Sequence, residues 1–475
     1  MKTLFAFAVL LSFAFASCFA VAQEAGSSEA KAPAQPTVQS QPQALPPGIS
    51  TPKGTVITPA SSNPHNRGAH TNYKIFVPQG QNSISAAVPS FTFPETPASI
   101  ACVYKVGASF TGCNPGAGHT GGGTGGWGAI ALVDAYDHPT VASDLATFDS
   151  NFGLPAANFT KVIANSSFGT LGGGFGPTVN ASCSGTPPNA NLFGWDLEID
   201  LDTQWAHAMA PNAQIILVEA CSQSLEDLLY AEAVAGMVVT NAGGGDISNS
   251  WGCQELICQT AGGQQNADNY FYRYYYDHIT YFASAGDAGG EVIYPSSSPW
   301  VISTGGTTVN RNSSLGFVSE SCWAGSGGGF SSVETWLSPP NILAGMGPWT
   351  DYQWRIFGRG NRSTPDMSFN ADPNSGVWVY DTDEGGGWYI VGGTSVSSPA
   401  LAGIVNASNN RLGMTPPGGG YYKPYELDLI YAQLLSNTAY KVNFYDVTTG
   451  SNGHAAGVGY DQCTGVGSPR GHLGK

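Results

Sequence analysis

Residues 214–251 read QIILVEACSQSLEDLLYAEAVAGMVVTNAGGGDISNSW, and this run decides the fold class. Gln214 to Ala220 is a short apolar stretch of the length of a buried strand. Ser224-Leu225-Glu226-Asp227 opens the next segment with a capping-box pattern, and helical periodicity continues to Val239. Asp246 to Trp251 then reads as a second strand. Two buried strands joined by a helix imply a right-handed crossover within a parallel sheet.

The alternation extends in both directions. Ala129 to Ala135 (AIALVDA), Thr280 to Ala285 (TYFASA) and Trp300 to Thr304 read as further strands. Ala142 to Asn151 and Glu198 to Met209 carry helical periodicity. The expectation is an α/β domain on a mainly parallel sheet, with its functional loops beyond the carboxyl ends of the strands.

Composition narrows the function classes. Only 11% of the 475 residues are charged, against about 25% in an average domain, while 11% are aromatic and 63 are glycine. That suits a folded, loop-rich extracellular protein rather than a disordered one. The 17 Lys and Arg against 33 Asp and Glu leave a net charge of −16. Nucleic acid and anionic membrane are therefore excluded as partners. A lysine-poor acidic surface sheds much of its charge at low pH, so acid medium is compatible.

Residues 1–22 read as a secretory signal: Lys2, an apolar stretch, and Ala20-Val21-Ala22 as a small-x-small cleavage site. No later segment has the ~20 apolar residues that cross a bilayer. Cys18 leaves with the signal, and the eight remaining cysteines form an even set that points to disulfides in an exported chain. Proximity suggests Cys102 with Cys113 and Cys253 with Cys258; the other four stay unassigned. Residues 23–95 are expected to be a low-complexity leader or short pro-segment, rich in Pro, Ser, Gln and Ala to about residue 68. Within it, HTNYKIFVPQG is a candidate for one strand. Residues 96–475 have the composition of one large domain.

Four motifs carry chemistry. Residues 392–403, GGTSVSSPALAG, deliver Thr394-Ser395 from a glycine-rich turn into a helix that Pro399 can enter near its first turn. A serine there has an exposed hydroxyl and backbone N–H groups nearby, which suits a nucleophile beside an oxyanion site. A serine needs a base. His207 lies on a helix but on the face opposite Glu198, at about 100° per residue, and reads as structural. WDLEIDLDTQ instead puts Glu198 and Asp202 on one helical face, with Asp200 pointing elsewhere. Adjacent carboxylates resist ionising together and tend to share a proton, so such a pair can take the serine proton and return it. Its working range is acidic. Asp287, in Ser284-Ala285-Gly286-Asp287, follows a strand and can donate to an oxyanion only while protonated. Finally, Asp446-Val447 and Gly457-Val458-Gly459-Tyr460-Asp461 supply hard oxygen donors of the kind that hold Ca²⁺.

These four elements, in this order, resemble the sedolisin family of serine-carboxyl peptidases. The resemblance implies Ser395 as nucleophile, Glu198 as general base, Asp202 as its paired acid and Asp287 as oxyanion donor. It implies one structural Ca²⁺ held by the Asp446 and Asp461 side chains and the carbonyls of Val447, Gly457 and Gly459. Ser250-Trp251-Gly252 is similar to the segment that pairs with substrate backbone as an added strand. Asp134 matches an acidic position linked to the catalytic Glu. PSSSPWVISTGGT and TPDMSFNADPNSG also match, so the likeness runs from about residue 96 to 469. The implied fold is subtilisin-like, a single large catalytic domain with about seven mainly parallel strands between helices. The implied activity is that of a secreted, acid-acting endopeptidase of polypeptides, expected to be a monomer. Members of the family usually carry a large folded N-terminal pro-domain, whereas about seventy residues separate signal from domain here. Two other readings are weighed beside this one. A histidine-using subtilisin-type hydrolase needs a histidine on the helix face that meets Ser395. An inactive, calcium-stabilised secreted binding protein needs one of the four elements to be missing.

Overall fold

The computed structural model of the chain describes residues 48–65, 68–81, 93–171, 178–255, 257–258, 267–268, 270–271, 278–335, 353, 360–383, 386–408, 425–434 and 436–475. The expected signal, 1–22, and residues 23–47, 66–67 and 82–92 of the expected leader lie outside them. Short strands β1 (Gly54–Ile57), β2 (His70–Thr71) and β3 (Lys74–Pro78) come first, followed by helix α1 (Pro97–Val103). The body then runs β4 (Ala129–Ala135), α2 (Val141–Phe152), β5 (Asn158–Ala164), α3 (Asp196–Met209), β6 (Gln214–Ala220), α4 (Leu225–Asn241), β7 (Gly245–Asn249), β8 (Trp251–Gln254) and β9 (Ile279–Ser284). After β10 (Ile293–Tyr294) come β11 (Val301–Arg311), β12 (Phe317–Cys322), β13 (Gly329–Thr335), β14 (Asn361–Thr364), β15 (Met367–Asn370), β16 (Val377–Asp381), β17 (Gly387–Gly392) and helix α5 (Thr394–Ala407).

The central sheet has eight strands in the order β12-β11-β9-β7-β4-β6-β5, with β15 also on β11. Every pairing in it is parallel except β11 with β12. This is the subtilisin-like α/β arrangement, with seven strands running one way. All seven residues of β4 are buried, as an all-apolar run flanked on both faces requires. The half-exposed edge strand β5 lacks such a run and was not legible as a strand. Ser224 caps α4 as its motif predicts, accepting from the Asp227 N–H at 3.2 Å. The strand order reverses about β4, whose neighbours are β6 and β7. A crevice therefore opens at the carboxyl ends of β4, β7 and β9.

Helix α3 is the pivot. All fourteen of its residues are buried, Asp and Glu included. It packs against α5, and Gly403 of α5 makes that possible: a Cβ there would lie 2.8 Å from the Met209 Cβ and 3.0 Å from the Ala206 carbonyl oxygen. On another side α3 is fastened to β16, where Trp205 Nε1 donates to the Trp378 carbonyl at 3.0 Å and Gln204 exchanges hydrogen bonds with the Tyr380 backbone.

The stretch expected to be one strand, Asp246 to Trp251, is broken at Ser250. β7 stays in the central sheet, while β8 leaves it to join a small sheet in the order β10-β8-β2. A third sheet, β1-β3-β17-β16, is antiparallel throughout. Residues 54–57 thus pair with 74–78, which in turn pair with β17, the strand that leads into α5. Four disulfides join Cys102 to Cys113, Cys183 to Cys221, Cys253 to Cys258 and Cys322 to Cys463. The two pairs suggested by proximity are among them.

Candidate active site

The crevice collects all four of the residues expected to react. Glu198 and Asp202 lie one turn apart on α3 and are fully buried. Asp200, between them in sequence, turns to the other side and meets His138 Nε2 at 2.8 Å. Ser395, second residue of α5, donates from Oγ to the Ser250 carbonyl at 3.1 Å. Asp287, beyond β9, accepts at Oδ1 from the Thr394 N–H at 2.8 Å and from the Thr394 hydroxyl at 3.0 Å. That docks it on the first turn of α5 and leaves Oδ2 without a hydrogen-bond partner among the described residues. Gly393, at φ 112°, is required between them: a Cβ would lie 2.5 Å from Asp287 Oδ2.

The strand break places Ser250 at the centre of the site. Its hydroxyl donates to Asp202 Oδ1 at 2.6 Å, and the same oxygen lies 3.3 Å from the Ser395 carbonyl oxygen. Trp251 is fixed below by its Nε1–H on the Val133 carbonyl at 3.0 Å. Asp134, one residue beyond Val133 on β4, is fully buried with neither oxygen hydrogen-bonded.

Asp134, Glu198 and Asp202 form an electrostatic unit. Burial lifts Glu198 well above the usual carboxylate range, and the nearby Asp134 and Asp287 add to it. The Ser395 hydroxyl and the Asn72 N–H oppose that rise, although neither Glu198 oxygen has a partner at full hydrogen-bond distance. Asp202 is raised by burial first, then by Asp134 and Glu198, against its bond from Ser250. Asp134 rises to about 7 through burial, held back by His138. Glu198 and Asp202 have no salt bridge among the described residues. Asp287 is raised to about 6 by burial, with Lys74 and the Thr394 bonds pulling it down.

The crevice contains a piece of the chain itself. β2 pairs antiparallel with β8, His70 opposite Gly252 and Thr71 opposite Trp251. Asn72 follows directly: its N–H donates to Ser395 Oγ at 3.2 Å, and its carbonyl oxygen accepts from the Ser395 N–H at 3.0 Å. Sequence reading missed Asn72. It sits in a bridging stretch 323 positions from Ser395, and nothing local marks a contact of that range.

His207 is buried with Nε2 at 2.8 Å from the Pro155 carbonyl, a structural role, and Ser395 has no hydrogen bond to an imidazole among the described residues. Asp446 and Asp461 converge on one loop: Asp446 Oδ1 accepts from the Gly459 N–H at 3.0 Å, and Asp461 Oδ2 from the Gly457 N–H at 2.9 Å. Asp461 Oδ1 also accepts from the Cys463 and Thr464 N–H groups at 2.8 Å, so both carboxylates expected to bind an ion are engaged with backbone donors of this loop. A second group, fully buried, that could hold a metal ion comprises His138, Asp144, Asp200 and Asp381. It uses the Asp200 that turns away from Glu198.

A sequence model of the subtilase family matches residues 178–460, more than half of the chain. Kumamolisin from Bacillus sp. (strain MN-32) is 30% identical over 347 residues, covering 64% of this chain and 55% of that protein. Sedolisin from Pseudomonas sp. (strain 101) is 28% identical over 305 residues, covering 57% of this chain and 47% of its own length. The chain thus spans about half the length of these relatives. The solved structure of Pseudomonas sedolisin, a serine-carboxyl proteinase complexed with two molecules of pseudo-iodotyrostatin, shares the fold. Its TM-score is 0.58 at 24% identity, over 80% of this chain and 96% of that one.

The raised Glu198 has a stability consequence. A carboxyl raised in the fold contributes its full stability only below its unfolded pKa, and that stability is lost as pH rises through the folded value. Glutamine has no such loss. Glu198→Gln should therefore melt at a higher temperature than wild type at pH 7, with the gap closing below about pH 4. Paired thermal melts at the two pH values check this. A variant less stable at pH 7 would mean that Glu198 is ionised and well solvated in the fold.

Proposed function

Because the chain belongs to the subtilase family and its likeness there is to the sedolisins, we propose that it is a secreted, acid-acting serine-carboxyl endopeptidase. One observation carries this reading: an extended polypeptide lies in the crevice with its backbone bonded to both the N–H and the Oγ of Ser395, beside buried carboxylates and with no imidazole hydrogen-bonded to Ser395 among the described residues. Substrate pairs with Ser250-Trp251-Gly252 as an added strand, which selects unfolded polypeptide and fixes its register by main-chain bonds.

Ser395 Oγ attacks the substrate carbonyl, and Glu198 takes its proton. With Asp134 and Asp202 beside Glu198, the three carboxyls cannot all ionise at once. One charge shared among them is the base, and Ser250 holds Asp202 in place within the relay. Asp287, protonated below about pH 6, donates to the oxyanion together with the Ser395 N–H. Above that pH its charge repels the developing alkoxide. The proton returns from the carboxyl pair to the leaving amine, and water releases the acyl group by the reverse path. Asp446 and Asp461, with the carbonyls of Val447, Gly457 and Gly459, would hold a Ca²⁺ ion, which would cross-link the C-terminal loop. Disulfides and the expected signal support export, since such bonds persist in oxidising compartments.

Two outcomes are expected. Ser395→Ala and Glu198→Gln should each lower hydrolysis of a denatured protein at about pH 4 by at least ~10³-fold while keeping a cooperative melt. Glu198→Gln at full activity would remove Glu198 from the base role. Chelation should lower the melting temperature and added Ca²⁺ should restore it, because a ligand bound only by the folded state stabilises that state. A melting curve unchanged across chelator concentrations would rule the ion out.

A further inference from the structure

On the side of α3 away from Glu198 and Asp202, four elements gather acids around one imidazole. His138 follows β4, Asp144 lies in the first turn of α2, Asp200 is on α3 and Asp381 ends β16. Each is at most 1% exposed, and one ligand atom from each lies within 4.8 Å of the others. His138 Nε2 stands 2.8 Å from Asp200 Oδ2 and 3.7 Å from Asp144 Oδ2. Donors bonded to one ion at 2.0–2.2 Å in a tetrahedron stand roughly 3.3–3.6 Å apart, which these spacings bracket.

Charge and hydrogen bonding are both unbalanced here. Asp196, at the start of α3, and Asp383, just past β16, also lie within 4.8 Å of Asp381. Five carboxyls thus surround one imidazole, and among the described residues no lysine or arginine is ion-paired to any of them. Asp144 Oδ1, Asp196 Oδ2 and His138 Nδ1 are buried with no hydrogen-bond partner among the described residues. His138 Nδ1 faces Asp383 Oδ2 at 3.6 Å, and that oxygen is unbonded as well. Buried polar atoms are normally bonded, so several orphans around one point call for a cation.

The surrounding protein holds this cage in place. The His138 N–H donates to Glu219 Oε1 at 2.8 Å, and its carbonyl accepts from Lys161 Nζ at 3.1 Å. The Thr382 hydroxyl donates to Asp144 Oδ2 at 3.0 Å, Gln204 Nε2 to Asp200 Oδ1 at 3.3 Å, and the Asp383 N–H to Asp381 Oδ1 at 2.7 Å. Bonds of this kind orient the ligands of a metal.

We propose that His138, Asp144, Asp200 and Asp381 bind one Zn²⁺ ion, which ties α3 to α2 and β16. One nitrogen and three carboxylate oxygens suit a four-coordinate ion with affinity for imidazole, whereas Ca²⁺ takes six to eight oxygens. The ion replaces the proton between His138 Nε2 and Asp200. The ring's remaining hydrogen then sits on Nδ1 and is donated to Asp383 Oδ2. Asp383, its side chain 24% exposed, marks the way in from solvent. With all four positions taken by protein the ion is structural, and it braces the helix that carries Glu198 and Asp202. The inference stands independently of the peptidase reading.

The test uses the untagged full chain at pH 7, stripped with a chelator, dialysed and returned to excess Ca²⁺. Zn²⁺ is added in calorimetric titrations and thermal melts, and Co²⁺ serves as the coloured probe of four-coordinate geometry. Wild type should bind one Zn²⁺ per chain, melt at a higher temperature with it, and give an intense visible absorption with Co²⁺. Asp144→Asn, which preserves size, should weaken Zn²⁺ binding at least ~10-fold. Asp200→Asn should do the same, and it decides the matter if Asp144→Asn does not melt cooperatively. Asp461→Asn should leave Zn²⁺ binding unchanged. No Zn²⁺ uptake with an unchanged melt, or uptake that survives both cage variants, overturns the proposal. Loss of the Co²⁺ absorption in Asp461→Asn but not in Asp144→Asn places the ion in the C-terminal loop and overturns it too.

Discussion

Three carboxyl groups sealed in the same apolar interior set the terms for the rest of this molecule. Asp134, Glu198 and Asp202 are fully buried, and neither Glu198 nor Asp202 is salt-bridged among the described residues. Ionising all three there would cost far more than the fold can supply, so protons are retained and shared. The same logic extends through the body: Glu232, Asp246 and Glu426 are each lifted to about 8 by burial. Such groups stabilise the fold fully in acid and lose that contribution as pH rises toward 8. Burial of acids thus aligns the stability of the framework with the acid range proposed for the site.

Holding those carboxyls dry falls to α3. It is enclosed by α5 on one side, through the close approach at Gly403, and by β16 on another, through the Trp205 and Gln204 bonds to backbone. Because α5 also begins with Thr394 and Ser395, the contact that buries the acids also positions Ser395. The break between β7 and β8 does a third task. One residue, Ser250, bonds Asp202 with its hydroxyl and Ser395 with its carbonyl, while the strand beyond it turns out to receive an extended chain.

Much of this was legible in the sequence, and for physical reasons. Fully buried parallel strands such as β4 and β6 leave unbroken apolar runs, and their bounds emerged as read. The carboxylate pair was visible because helical period fixes which side chains share a face, and Asp200 turned away as that period requires. What stayed hidden depends on tertiary contact. Edge strand β5 is half exposed and carries no apolar signature. Ser250 ends a strand only because β8 joins another sheet, which is a property of partners rather than of local sequence. β1 and β3 lie within a stretch read as leader, since strands of four and five residues gain their order from partners, β1 from β3 and β3 from β17. Asn72 had no local signal at all.

The central claim is that carboxyl groups, rather than an imidazole, run the serine chemistry, with a protonated Asp287 beside the oxyanion. The most direct measurement is the pH dependence of kcat/KM for wild type and Asp287→Asn, with melting curves matched at each pH. Wild type should lose activity as pH rises through about 6, where Asp287 ionises. The asparagine variant, whose amide donor does not titrate, should be slower in acid but should keep its activity to higher pH. A wild-type optimum at or above neutrality, or an alkaline limb that stays in place in Asp287→Asn, would contradict the account.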